Sequence, residues 1–264
     1  MRFKWLAVAG LFLSIPFVSL AQQGPSTPTP TTQPLSVTPV VDDAPTKAKS
    51  YDWIARHQAV LDRIKKGPVD LILIGDSITH GWGGDPQGGG PSDLWDHYYK
   101  GRNTVNLGFG WDRTEHVIWR LENGEIDHIH PKVAVIMIGT NNLWRDSVDD
   151  IALGVSKIIN LVKKSSRRTK ILLLGVFPRD HEPNTDNRKK IVDLNQKLAG
   201  FTKIRGVTFL DIGSKFLADD GTISADIMPD FLHPNHKGYE IWAAAMEPTL
   251  SKLMGDQEIQ PLVP

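Results

Sequence analysis

Three stretches of this chain, VDLILI at 69–74, VAVIMI at 133–138 and KILLLGV at 170–176, are apolar almost without interruption. A strand with one wet face alternates apolar and polar residues, and a surface helix repeats its apolar positions every three to four. Short aliphatic runs that do neither fit parallel strands covered on both faces. NTVNL (103–107) and GVTFLD (206–211) are weaker candidates of the same kind. Between the runs lie helical patterns. SYDWIARHQAVLDRIKKG puts Trp53, Ile54, His57, Val60, Leu61 and Ile64 at helical spacing and ends on Gly67-Pro68. TEHVIWRLE, VDDIALGVSKIINLVKK, NRKKIVDLNQKLAGF and GYEIWAAAMEPTLSKLM follow in turn. Such alternation predicts an α/β fold, a three-layer α/β/α sandwich on about five parallel strands.

The first residues carry a different signal. MRFKW is basic, LAVAGLFLSIPFVSLA is a short apolar run broken by Pro16, and Ser19-Leu20-Ala21 suits signal-peptidase cleavage. No basic stop-transfer cluster follows, so residues 1–21 read as a cleavable signal peptide and the protein as secreted or periplasmic, without a membrane span after cleavage. Residues 22–46, rich in Pro, Thr, Ser and Gln, read as a disordered linker, because they offer too little apolar surface to fold. The folded domain is expected over 47–256, with a C-terminal tail at 257–264. Cysteine is absent, which excludes disulfides, thiolate metal sites, a lipoprotein anchor and a cysteine nucleophile. Lys plus Arg and Asp plus Glu number 30 each, so no global basic field argues for nucleic acid.

In an open parallel sheet, ligands bind beyond the carboxyl ends of the strands. The residues there are Gly75-Asp76-Ser77, then NLGFGWD (106–112), then Gly139-Thr140-Asn141-Asn142, then Phe177-Pro178-Arg179-Asp180. DFLHP (230–234) precedes the last helix. A serine hydroxyl becomes a nucleophile when a base takes its proton and a third group fixes that base. Ser77, His233 and Asp230 supply these roles, the last two at the i, i+3 spacing that one helical turn brings together. Asn141 and the backbone N–H groups of Ser77 and of the Gly110-Trp111 turn are candidate oxyanion donors.

GDSIT, NLGFGWDRTEHVIWRLENGEIDHIHPKVAVIMIGTNN and DFLHPNHKGY together resemble the GDSL/SGNH hydrolase family. They are most similar to its branch containing the catalytic subunits of intracellular platelet-activating-factor acetylhydrolase. The likeness runs from about Tyr51 to Met254. It implies a flavodoxin-like sandwich, with Ser77 as nucleophile, His233 as base and Asp230 as its orienter. Asn141 and the Gly110-Trp111 turn carry over as the oxyanion hole. The resemblance implies no metal and no organic cofactor, and a homodimer by analogy alone.

Two departures stand out. That branch has glycine where this chain has Trp111, whose indole is expected either to line the mouth of the site or to pack under the next helix. After the nucleophile, residues 81–91 (GWGGDPQGGGP) cannot continue a helix and are expected to form a flexible rim over the cleft. Trp82, Trp111, Asn142, Trp144 and Arg179 are the candidate substrate contacts; for Arg179 the alternative is a plain surface arginine. His128, His130, His181 and Glu182 read as surface-loop residues, since none comes with a helical His pair or a third ligand. The function expected is a secreted serine esterase removing short acyl groups, above all acetyl, from O-acetylated carbohydrate. A lipid esterase, lysophospholipase-type or platelet-activating-factor acetylhydrolase-like enzyme is the alternative within the class. Outside it stands a catalytically silent glycan-binding domain, although every triad member is present here.

Overall fold

The structure, a computed structural model, describes residues 33–42 and 51–262. The expected signal peptide at 1–21 and linker residues 22–32 and 43–46 lie outside the described residues. Strands β1 (Leu71–Gly75), β2 (Thr104–Gly108), β3 (Val133–Met137), β4 (Lys170–Leu174) and β5 (Val207–Leu210) form one sheet in the order β2-β1-β3-β4-β5. Every neighbouring pair is parallel. The helices are α1 (Trp53–Lys65), α2 (Ser77–His80), α3 (Ser92–Tyr98), α4 (Thr114–Arg120), α5 (Val148–Ser165), α6 (Asp186–Ala199) and α7 (His236–Met254). This is the α/β class read from the sequence.

Each aliphatic run divides between two cores. Ile72, Ile74, Ala134, Ile136, Ile171 and Leu173 join the core built by α1, α4, α5 and α6. Their alternates Leu71, Leu73, Val133, Val135, Leu172 and Leu174 join the core of α2, α3 and α7. That is why the runs do not alternate in polarity: both faces of the pleat are covered, and each buried aliphatic side chain contributes about 1.5–3 kcal/mol. Polar caps set the helix starts, with Asp52, Ser147, Thr185 and Asn235 each accepting from a backbone N–H in the first turn of its helix. No helix among the described residues is long and apolar enough to cross a membrane.

β2 lies at the edge of the sheet, and its outward groups are taken. Asn106 N–H donates to Asp85 O at 2.9 Å. Arg56 donates through Nε to Gly108 O at 2.8 Å and through Nη2 to Asn106 O at 3.2 Å. The tract expected as a rim over the cleft is therefore an edge cover. Gly83 and Gly84 take φ of 63° and 68°, turning the chain back on itself. At Gly84 a Cβ would lie 2.0 Å from the Trp95 ring. In consequence Trp82 is not at the mouth of the site: it is fully buried, its ring against Tyr99, Tyr239 and Trp242.

Residues 33–42, assigned by composition to the linker, are docked between α4 and α5. Ser36 is buried; its hydroxyl donates to Asp150 O at 2.7 Å, and its carbonyl accepts from Thr114 Oγ1 at 2.8 Å. Lys157 Nζ donates to Val37 O, and Val40 N–H donates to Glu115 O. Apart from Val41, which packs against the core, these contacts are hydrogen bonds to backbone groups, which a composition argument could not anticipate. At the other end, Ile259 N–H in the expected tail donates to Glu247 Oε1 at 2.9 Å.

Candidate active site

The chain leaves β1 to form β2 on one side and returns to form β3 on the other. The ends of these three strands thus meet at the point where strand order reverses, which is where open α/β sheets carry their ligands. Ser77 follows β1 as the first residue of α2. Its turn is fixed by Asp76, whose side chain accepts from Ile78 N–H at 3.0 Å. Asp76 is buried, and burial pushes its carboxyl up to about 7, with the Ile78 hydrogen bond and the Arg179 guanidinium among the influences opposing it.

Ser77 Oγ lies 2.8 Å from His233 Nε2, and His233 Nδ1 lies 2.6 Å from Asp230 Oδ2. With Nδ1–H donated to the carboxylate, Nε2 is left as acceptor for the serine hydroxyl. The Asp230-to-His233 segment is an irregular turn rather than the helical turn expected from its spacing. Phe231 takes φ of 57° and reverses the chain, so that Asp230 Oδ1 also accepts from Leu232 N–H at 3.1 Å and His233 N–H at 2.7 Å. Burial alone would raise the Asp230 carboxyl, but the hydrogen bonds from the His233 ring and these backbone groups outweigh it and hold it below its ordinary value. Asp180 N–H donates to Phe231 O, bracing the turn from the loop after β4.

On the β2 side, Trp111 takes φ of 69°, a left-handed conformation that costs a non-glycine residue about 1–2 kcal/mol. Its N–H meets no acceptor among the described residues, and neither does that of Ser77. The Gly110 N–H is a different matter. It donates to His80 Nδ1 at 3.1 Å, so Gly110 drops out of the expected set of oxyanion donors. From the β3 side, Asn141 Nδ2 donates one hydrogen to Asp112 O at 3.0 Å and has a second to offer. Of the expected donors, the N–H groups of Ser77 and Trp111 and one hydrogen of the Asn141 amide thus have no acceptor among the described residues.

The candidate substrate contacts separate. Trp111 and Trp144 are 57% and 69% exposed, each on a turn that carries one of these donors. Arg179 is buried rather than a plain surface arginine. It donates through Nη1 to Thr140 Oγ1 at 3.1 Å, and its Cζ lies 4.8 Å from the Trp144 ring centroid. Asn142 is fully buried and serves the scaffold: it accepts from Thr114 N–H and donates to Glu115 and Asp146. His128, His130, His181 and Glu182 are exposed, as loop residues should be. Asp42, Asp112 and His116 have ligand atoms within 4.8 Å of one another. A cation there would compete with the guanidinium and indole that already hold Asp112.

Those holders belong to a buried network that sequence reading missed. Asp112 accepts from Trp53 Nε1 at 2.7 Å and from Arg120 Nε at 2.9 Å. Arg120 reaches on to Glu125, which pairs with His57 Nδ1 at 2.9 Å. Burial raises the Asp112 carboxyl while Arg120 opposes it. His80 and Tyr51 were missed as well. His80 is held down to about 3 by burial and by Arg56 and Arg120, so its Nδ1 is free to accept from Gly110. The Tyr51 hydroxyl donates to Gly110 O at 2.9 Å. These contacts cross 30 and 59 residues, and no local spacing reports them.

The profile of the GDSL-like Lipase/Acylhydrolase family matches residues 73–241. Platelet-activating factor acetylhydrolase IB subunit alpha1 of Rattus norvegicus is 32% identical over 211 residues, covering 79% of this chain and 86% of that subunit. Among solved structures, a GDSL-like lipase from Bacteroides thetaiotaomicron aligns with a TM-score of 0.61 at 19% identity, over 74% of this chain and 96% of that one. An acetylxylan esterase from Geobacillus stearothermophilus aligns with a TM-score of 0.57 at 20% identity, over 74% and 98%. These two likenesses speak for the fold.

Proposed function

We propose, from the premise that this chain belongs to the GDSL-like lipase/acylhydrolase family and is an ester-hydrolysing enzyme, that it is an exported serine esterase for short acyl groups. The observation that carries the reading is the hydrogen-bonded run Ser77–His233–Asp230, at 2.8 and 2.6 Å. His233 Nε2 takes the proton as Ser77 Oγ attacks the acyl carbonyl, and the Asp230 carboxylate supports the imidazolium that forms. The developing oxyanion is received by the Ser77 and Trp111 N–H groups and the Asn141 amide; one such donor is worth about 3–4 kcal/mol. His233 then gives its proton to the departing alkoxide. In the second half a water loses its proton to His233 as it attacks the acyl carbon, and His233 returns that proton to Ser77 Oγ as the acyl–oxygen bond breaks and the acid leaves.

Acetyl on a carbohydrate hydroxyl is the substrate class we favour. Two exposed indoles flank the donors, and flat apolar rings on a wet surface suit the faces of sugars. A relative named for acetylhydrolysis of a lipid mediator supports the acetyl group and keeps a lipid ester as the second reading. Export rests on the basic, apolar and small-residue pattern of residues 1–21. The test is hydrolysis of nitrophenyl esters from acetyl to octanoyl, with acetate release from acetylated glycans alongside. Acetyl preference abolished by Ser77→Ala is expected. Turnover that survives Ser77→Ala removes the triad reading, and octanoyl preference moves the substrate to lipid.

A further inference from the structure

A tryptophan stands in a left-handed turn, and its N–H is the proposed oxyanion donor from the β2 side. Strain of this kind persists only where the surroundings over-determine it. The surroundings here are two successive peptide planes. A trans peptide is rigid, with its C=O and N–H pointing in opposite directions, so a bond to one end aims the other. In the Phe109–Gly110 plane, the carbonyl accepts from Asp112 N–H at 3.2 Å and the N–H donates to His80 Nδ1 at 3.1 Å. In the Gly110–Trp111 plane, the carbonyl accepts from the Tyr51 hydroxyl at 2.9 Å. The opposite end of that plane is the Trp111 N–H. Among the described residues, Tyr51 is the one hydrogen-bond partner this plane has.

We propose that Tyr51, with His80 behind it, is a positioning residue that aims the Trp111 N–H at the oxyanion. The two rings brace one another edge to face, 4.8 Å apart with an interplanar angle of 81°. There is little slack beneath them: a Cβ on Gly110 would lie 3.0 Å from Tyr51 Cε1. His80 is neutral in this setting, which an acceptor for Gly110 N–H must be. Tyr51 lies upstream of the family match at 73–241, so the hydroxyl reaches the site from outside the matched region.

Tyr51→Phe removes the hydroxyl and leaves the ring. In the full chain it is expected to lower kcat for nitrophenyl acetate about tenfold, with KM within twofold of the parent, as a part share of the effect of losing an oxyanion donor outright. Affinity for phenylboronic acid, whose tetrahedral adduct on a serine carries the oxyanion, should fall by the same factor. A purely structural role would not tie these two losses together. For His80, Asn keeps an acceptor close to the position of Nδ1 and Leu does not, so His80→Asn should retain most of the kcat that His80→Leu loses. The inference rests on the esterase reading above, and Ser77→Ala separates the two failures. A dead Ser77→Ala with kcat and boronate affinity unchanged in Tyr51→Phe overturns the positioning role alone. An active Ser77→Ala overturns the reading beneath it as well.

Discussion

Two of the histidine–carboxylate pairs among the described residues join Nδ1 to a carboxylate at similar distance in opposite surroundings. His57 and Glu125 meet at 2.9 Å with side chains 9% and 0% exposed, and His233 and Asp230 meet at 2.6 Å with side chains 41% and 57% exposed. In the buried pair the carboxylate is shared with Arg120, and the chain of contacts runs inward to Asp112 and Trp53. In the open pair the second ring nitrogen faces a hydroxyl. Pairing with a carboxylate therefore does not distinguish a base from a brace. The distinguishing feature is what the far nitrogen meets, and whether substrate and water can reach it. The buried network also reaches the turn that carries Trp111, since Asp112 follows it in the chain.

Replacing each carboxylate by its amide should pull the two apart. Asp230→Asn is expected to cut kcat on the order of 10⁴-fold, because the wrong tautomer is then held, while the urea midpoint moves little. Glu125→Gln leaves Arg120 partly unpaired in the interior and should lower the unfolding free energy by about 3–5 kcal/mol. Steady-state kinetics and urea melts on both variants decide it. A fully active Asp230→Asn, or a Glu125→Gln as stable as its parent, breaks the comparison.

Asp76 and Asp230 sharpen it through pH. Asp230 is held below its ordinary value, so its stabilising share is complete above the unfolded-state value and is lost as acid carries the pH through the folded-state value. Asp76 has the opposite sign. Pushed up to about 7, it binds its proton more tightly folded than unfolded, so stability falls as pH climbs from about 4 to about 7. The cost of ionising it is of the order of 4 kcal/mol. Asp76→Asn keeps an acceptor for Ile78 N–H and removes that slope. Melts at pH 4 and pH 8 should show the variant gaining on the parent only at the higher pH, and equal gains at both would count against the assignment.

The smallest effect belongs to the rim. Trp144→Ala removes an exposed ring and its contact with Arg179, interactions worth about 0.5–1.5 kcal/mol. KM for an acetylated oligosaccharide should rise about two- to tenfold, with kcat for nitrophenyl acetate close to the parent's. An unchanged KM would take Trp144 out of substrate binding.

The fold and the meeting of Ser77, His233 and Asp230 were legible because both are written in neighbouring residues: aliphatic runs, a Gly-Asp-Ser break, an Asp and a His three apart. The failures share a cause. Gly83 and Gly84 suggested a loose rim, yet their left-handed angles fold the tract tightly against β2 and bury Trp82. Asn142 stood among the expected substrate contacts, but its amide faces the carboxylates of Glu115 and Asp146. Tyr51, His80 and the Asp112 network act across long separations, where only the folded chain brings them together.

The ten docked residues from Gln33 to Asp42 bear on where this protein begins as a foldable object. The family profile begins at residue 73 and the first long helix at Trp53, and either would be a natural place to cut. Cutting there would remove Ser36 from the cleft it fills between Thr114 and Asp150. Space there is tight: at Gly154, a Cβ would lie 2.5 Å from Thr114 Oγ1 and 2.8 Å from Ser36 O. A trimmed enzyme would carry an open polar trench along α4, one turn of chain from Trp111. A fusion partner or immobilising handle that spares these contacts belongs ahead of Gln33.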